Sequence, residues 1–303
     1  MSIWLHLQAV PCLAGQYSPN LYKKWMRSFG WLDNPLVFFT DTEEIAQYFR
    51  QLRTRYPASR TTVIVLKRDE LWAFQLAKEI QAVYSQPGYP KHPPNTINPL
   101  YSCAMHAKFE LVQRVILQQL YQTRYVAWLD IGLFRREAQK EQTIHLTVPV
   151  DFDRQKVAYH QVMKFRNLTA TYILLRNKVW VGGASFLATP EVAFVFCSEY
   201  RRAIRKLLDM KIMNTDQQVR EAIRLSVLAF SLSVLFAPRS VSWQGRLLTC
   251  PEECFACRQG LLLFKCLPYR AIQVLPLCTY LLILLLPKTL HGLWSEFVNA
   301  TSV

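Results

Sequence analysis

The feature that most limits what this chain can become is the run Tyr125-Val126-Ala127-Trp128-Leu129-Asp130-Ile131-Gly132. It is apolar without polar alternation and contains β-branched and aromatic residues. That pattern predicts a strand covered on both faces, as in a sheet flanked by helices. The run stops at a carboxylate followed by a glycine. In open α/β sheets, ligands bind in the crevice outside the carboxyl ends of the strands. A lone acid there is placed to meet a metal or a phosphate-bearing molecule. It can equally end the strand and cap the next turn.

The surrounding text alternates in the way a parallel sheet requires. Tyr22–Phe29 has helix-like aromatic spacing and ends at Gly30. Pro35–Asp41 reads as a buried strand, followed by a helix over Thr42–Arg53 with Glu43 and Glu44 in its favourable first turn. Thr61–Leu66 is a third β-rich run, and Glu70–Tyr84 a second helix. Pro87–Pro99 holds five prolines and a glycine, which makes it a long loop and a candidate for substrate contact. A long helix over Ser102–Tyr121 then leads into the Tyr125 strand, and strand-like material follows at Thr143–Val150 and Lys156–Met163.

Two further stretches carry chemistry-bearing residues. In Val179–Pro190 the pair Gly182-Gly183 interrupts a strand pattern, which marks a bulge, a packing pair or a close backbone approach by a ligand. Pro190-Glu191 opens a helix running to about Lys211. Met213–Val219 reads as another helix start, with Asn214 or Thr215 as its cap and Asp216 and Gln217 at its mouth.

Composition matters mainly for partners. The formal charge of +15 suits an anionic partner, yet most Lys and Arg are expected on solvated helix faces. Nucleic acid is not expected as a partner, because zinc-finger spacing, basic heptads and an aromatic platform are missing from the sequence. Cys254-x-x-Cys257 has half the spacing of a zinc site without a second pair. Met1–Gly15 lacks the basic start and long apolar run of a secretory signal. Residues 221–303 form an apolar, cysteine-containing tail; within it 272–287 is almost wholly apolar but short of the ~20 residues of a bilayer span. A membrane segment, a buried helix and a poorly folded tail are the alternatives there. The compartment is unassigned, with membrane, Golgi or endoplasmic reticulum and cytoplasm as alternatives.

The order of these pieces is informative: a strand ending Phe39-Thr40-Asp41, a helix bearing Lys108, a strand ending Trp128-Leu129-Asp130-Ile131-Gly132, then Gly182-Gly183-Ala184-Ser185-Phe186, then Asn214-Thr215-Asp216-Gln217. Taken together it resembles the WlaTC/HtrL-type family of glycosyltransferase-like proteins and, more distantly, nucleotide-sugar enzymes of the glycogenin and galactosyltransferase type. The resemblance covers about Gln16 to Val219. It implies an α/β protein: a three-layer α/β/α GT-A sandwich with a mostly parallel sheet over residues 16–220, followed by the hydrophobic tail.

It also implies transfer of a sugar from a nucleotide-diphosphate donor to a glycan, lipid or protein acceptor. The alternative is an inactive or truncated relative that binds a nucleotide or a protein, attached to a membrane through its tail. By the same resemblance Asp130 would hold Mn²⁺ or Mg²⁺, since hard cations prefer carboxylate oxygen shared with substrate phosphates. The usual second carboxylate of an Asp-x-Asp motif is replaced by Gly132. Lys108, Gly182, Gly183, Thr40 and Asp41 would contact the donor, and Asp216 with Gln217 would lie beside the sugar ring. The resemblance further implies a strand before Tyr17, for which Met1–Gly15, interrupted by His6, Gln8 and Pro11, is a poor match.

Overall fold

The computed structural model describes residues 18–225 together with the strands Ser2–His6, Ser240–Ser242 and Leu263–Lys265. The segment 272–287, the Cys254–Cys257 pair and nearly all of the tail lie outside the described residues.

The chain is an α/β protein built on one six-stranded sheet. Its strands are β1 (Ser2–His6), β2 (Leu36–Thr40), β3 (Thr61–Val65), β4 (Val126–Asp130), β5 (Ala158–Gln161) and β6 (Val181–Ala188), in the order β3-β2-β1-β4-β6-β5. A separate antiparallel pair joins β7 (Ser240–Ser242) to β8 (Leu263–Lys265). The helices are α1 (Pro19–Met26), α2 (Glu43–Leu52), α3 (Trp72–Gln75), α4 (Ala77–Tyr84), α5 (Pro99–Leu117), α6 (Ala170–Leu175), α7 (Pro190–Asp209) and α8 (Asp216–Leu225).

Alternation along the strands supplies two cores. Val37 and Phe39 of β2, Val126 and Trp128 of β4 and Phe186 and Ala188 of β6 pack on the side of α4, α5, α7 and α8. Leu36 and Phe38, Ala127 and Leu129, and Leu187 pack on the other side with Met26, Phe29, Ile45 and Phe49. A strand whose two faces both meet helices has no polar face to show, hence the unbroken apolar runs. Side chains two residues apart share a face, so Asp130 falls on the α5 side with Trp128.

In the sheet β3, β2, β1 and β4 pair in parallel, while β6 runs antiparallel to both β4 and β5. β6 therefore starts at the edge where β4 ends, a direction that sequence pattern does not encode. Two expectations are corrected. The first strand is present after all, since β1 inserts between β2 and β4; the short run Ile3-Trp4-Leu5 suffices. Thr143–Val150 is not a strand, apart from a single bridge between Leu32 and Ile144. At Leu146 the backbone is satisfied instead by the Asn34 amide, which donates to Leu146 O at 3.0 Å and accepts from Leu146 N at 2.8 Å.

Helix starts follow local chemistry. Thr42, Thr189 and Thr169 each cap their helix through the side-chain oxygen, and Asn98 caps α5 ahead of Pro99. The region expected as one helix over Glu70–Tyr84 is divided at Leu76, and α3 receives its cap from afar: Glu110 of α5 accepts from Trp72 N and Ala73 N. The proline-rich loop ties the fold together. Tyr89 Oη donates to Met213 O at 2.6 Å and accepts from Met213 N at 2.9 Å, which fixes the approach to α8.

Candidate functional site

Four elements converge at the carboxyl edge of the parallel strands. Asp130 is the last residue of β4, and His6, the last of β1, is its register partner. Because β6 is antiparallel, its first residues, Val181 to Gly183, arrive at this same edge. Lys108 reaches across from α5, and Asp216 opens α8.

Lys108 is the hub. Its Nζ donates to Asp130 Oδ2 at 3.1 Å, to Gly183 O at 3.0 Å and to Asp216 Oδ2 at 3.2 Å. An ammonium has three N–H groups, so all of its donors are satisfied within the protein. The residue is only 1% exposed. Asp130 is held on its other oxygen by Trp128 Nε1 at 2.6 Å. Its side chain is 30% exposed against 2% for Asp216, so Asp130 is the member at the opening.

Arg220, one turn along α8, completes a quartet. Its Nε donates to Asp216 O at 3.1 Å, its Nη2 donates to Gly182 O at 3.1 Å and lies 3.5 Å from Asp216 Oδ2. Its guanidinium lies over the Tyr159 ring at 4.4 Å. Burial by itself would lower the pKa of Arg220, but the Asp216 charge, with Tyr159 adding to it, moves it upward. Two carboxylates and two cations leave the quartet formally neutral, as burial at this depth demands.

The glycine pair is crowded by the protein itself. A Cβ on Gly182 would lie 1.8 Å from His160 Nε2, and one on Gly183 would lie 2.9 Å from Gln217 Cγ and 3.2 Å from Asp216 Oδ2. His160 is held there by a hydrogen bond between Nδ1 and Ser185 Oγ at 3.1 Å. Gly182→Ala is therefore expected to displace the His160 ring and destabilise the fold by about 1–3 kcal/mol. Urea denaturation checks this: an unchanged midpoint would show that the ring swings away freely.

Two histidines nearby are kept neutral by burial. His106 is fully buried beside Lys108, with Nδ1 2.7 Å from Tyr200 Oη, and its pKa is pulled down to about 4 by burial, opposed by Asp216 and reinforced by Lys108. His160 is likewise lowered to about 4 by burial and then by the Arg220 charge.

Of the residues singled out in the sequence, Lys108, Asp130, Gly183 and Asp216 are thus in direct contact. Gly182 joins them through Arg220, and Gln217 lies against Gly183 with its amide 3.5 Å from Val181 O. Thr40 and Asp41 stand apart, at the end of β2, about two strand spacings (~10 Å) from β4. Thr40 is 3% exposed and accepts from Thr42 N. Asp41 accepts from Arg68 Nε at 2.6 Å. Arg220, Trp128 and Tyr159 were not foreseen. The one available signal was the four-residue spacing of Asp216 and Arg220, a helix-face ion pair. An open cleft lined by Arg27, Trp31, Gln51, Arg55 and Glu141 shares no residue with the quartet.

Among the described residues the donor set does not fit a divalent ion. Among the described residues no three His, Cys, Asp or Glu side chains gather where they could hold a metal. Both Asp130 oxygens already accept hydrogen bonds, and the second nearby carboxylate is shared with Lys108 and Arg220. Also among the described residues, no helix is long and apolar enough to cross a membrane.

Comparisons with known proteins place the chain in a family. The family described as "Bacterial protein of unknown function (HtrL_YibB)" matches residues 14–219. The curated proteins give no match. Among solved structures, the apo form of mouse xyloside xylosyltransferase 1 is similar at 12% identity and a TM-score of 0.36, over 74% of this chain and 81% of that one. A likeness of that size carries no argument about chemistry.

Proposed function

The chain belongs to the HtrL_YibB family, and from that premise we propose that it binds a nucleotide-diphosphate sugar at the carboxyl edge of its sheet and transfers the sugar to an acceptor. The observation that supports this reading is the convergence of Asp130, Lys108, Gly183 and Asp216, from four elements, at the edge where α/β sheets take their ligands. The sequence order of the same residues resembles that of GT-A nucleotide-sugar enzymes, and helices on both faces of the sheet suit such a sandwich.

In this reading the roles differ by depth. Asp130, the partly exposed member, meets the donor or the acceptor hydroxyl. Gln217, also partly exposed, lies where an amide can hydrogen-bond sugar hydroxyls. Asp216 acts as a positioning residue, because its carboxylate holds Lys108 and Arg220. In the transfer itself the bond from the anomeric carbon to the diphosphate oxygen breaks, the diphosphate leaves with the electron pair, and the acceptor oxygen bonds the anomeric carbon as its hydroxyl proton passes to water. Lys108 beneath Asp130 offers that developing anion a preorganised positive charge.

Titration calorimetry with a panel of uridine and guanosine diphosphate sugars tests the reading. At least one donor is expected to bind, and Asp130→Ala is expected to weaken it by about tenfold or more. A folded protein that binds none of them overturns the proposal. The neutrality of the quartet favours a second reading, a module that binds the nucleotide without turnover. Binding with no release of nucleoside diphosphate over hours, with acceptor sugars, lipids and peptides supplied, would establish that one instead.

A further inference from the structure

We infer that Lys108 is the resident cation of this site, so that ligand binding at the sheet edge proceeds without a divalent metal. The inference rests on the nucleotide-sugar reading only for the identity of the ligand; the cation's place is a property of the fold alone.

The geometry carries it in three steps. First, the position between the two acids is filled. Asp130 Oδ2, Asp216 Oδ2 and Gly183 O surround Lys108 Nζ at 3.0 to 3.2 Å. Those are hydrogen-bond lengths for an ammonium; Mg²⁺ needs oxygens at about 2.1 Å. The oxygens would have to close in by roughly 1 Å around a metal, into space the lysine already holds. Second, the charge is already balanced. Lys108 and Arg220 match Asp130 and Asp216, so these four side chains present no net negative charge to draw a divalent ion. Third, the lysine is not free to swing aside. It is 1% exposed, on a helix whose neighbours Ala107 and Phe109 are fully buried.

A chain of this design keeps a positive charge beside the sheet edge at any metal concentration. The cation is also held by carboxylates that arise 22 and 108 residues away, so it reports on correct assembly of β4, β6 and α8.

The test uses manganese alone, read by electron paramagnetic resonance of free Mn²⁺, on the full chain at pH 7 with no donor present. Wild type and Asp130→Asn are expected to give the same titration, with no Mn²⁺ bound in a manner that the substitution removes. Stoichiometric Mn²⁺ on wild type that Asp130→Asn abolishes overturns the inference. Lys108→Ala provides the converse. With the ammonium gone, Arg220 alone offsets two close carboxylates, the site carries one net negative charge and the carboxylates can rotate inward, so Mn²⁺ affinity is expected to rise by about tenfold or more. A folded Lys108→Ala that gains no affinity overturns the inference too. If that variant does not fold, the wild-type and Asp130→Asn titrations decide alone. Failure of every nucleotide sugar to bind would sink the proposed function and leave these metal titrations unaffected, so the two failures are distinguishable.

Discussion

Asp216→Asn is expected to destabilise the protein by about 3–5 kcal/mol, the loss typical of removing one partner from a buried ion pair. Asparagine keeps the shape and one acceptor oxygen, so the loss belongs to the charge. Lys108 and Arg220 are both 1% exposed; Lys108 would then keep only Asp130 as a carboxylate partner, and Arg220, whose carboxylate partner is Asp216, would lose it. For a domain of this size, 1 kcal/mol moves the melting temperature by about 2–4 °C, so a fall of roughly 10 °C is expected. Asp130→Asn is the control. Its side chain is 30% exposed, water replaces part of what is lost, and about 1 kcal/mol is expected. Calorimetric melting of both variants checks the ranking. Equal losses would mean that Asp216 is not the buried anchor its contacts indicate.

The second large effect is on pH. His106 and His160 have folded-state pKa values near 4 against about 6.5 in the unfolded chain, burial being the first cause in both. A depressed base means that the unfolded chain binds protons which the folded one refuses. Stability is therefore flat above pH 6.5 and falls as pH drops from 6.5 toward 4. Each histidine contributes up to about 1.4 kcal/mol per pH unit in that window, or about 2 kcal/mol by pH 5. Urea midpoints at pH 7 and pH 5 test it, with His106→Gln expected to remove about half of the difference. Superimposable curves at the two pH values would show that neither histidine is held neutral.

Much of the frame was legible locally. The runs Leu36–Thr40 and Val126–Asp130 lack polar alternation because helices cover both of their faces, and that composition is visible without coordinates. Glu43 and Glu44 after Thr42, the Pro190-Glu191 pair, and Asn214 or Thr215 ahead of Asp216 marked three helix starts, because first-turn and capping preferences act within a few residues. The candidate site residues were legible as types at the ends of such elements. Their mutual contacts were not. Reading Thr143–Val150 as a strand failed because Asn34, more than a hundred residues earlier in the chain, supplies the hydrogen bonds that a neighbouring strand would have given.

By itself, then, the sequence determined where most strands and helices lie, and that an acid closes β4, since periodicity and capping are written within one or two turns of chain. Only the tertiary structure decided that β6 returns antiparallel, that β1 slots between β2 and β4, and that Lys108 is shared by Asp130 and Asp216 with Arg220 as the balancing charge. The physical reason is that burial of charge is a property of the assembled interior. A lysine reads as a surface residue until three oxygens from distant elements close around it, and no local pattern records which three they will be.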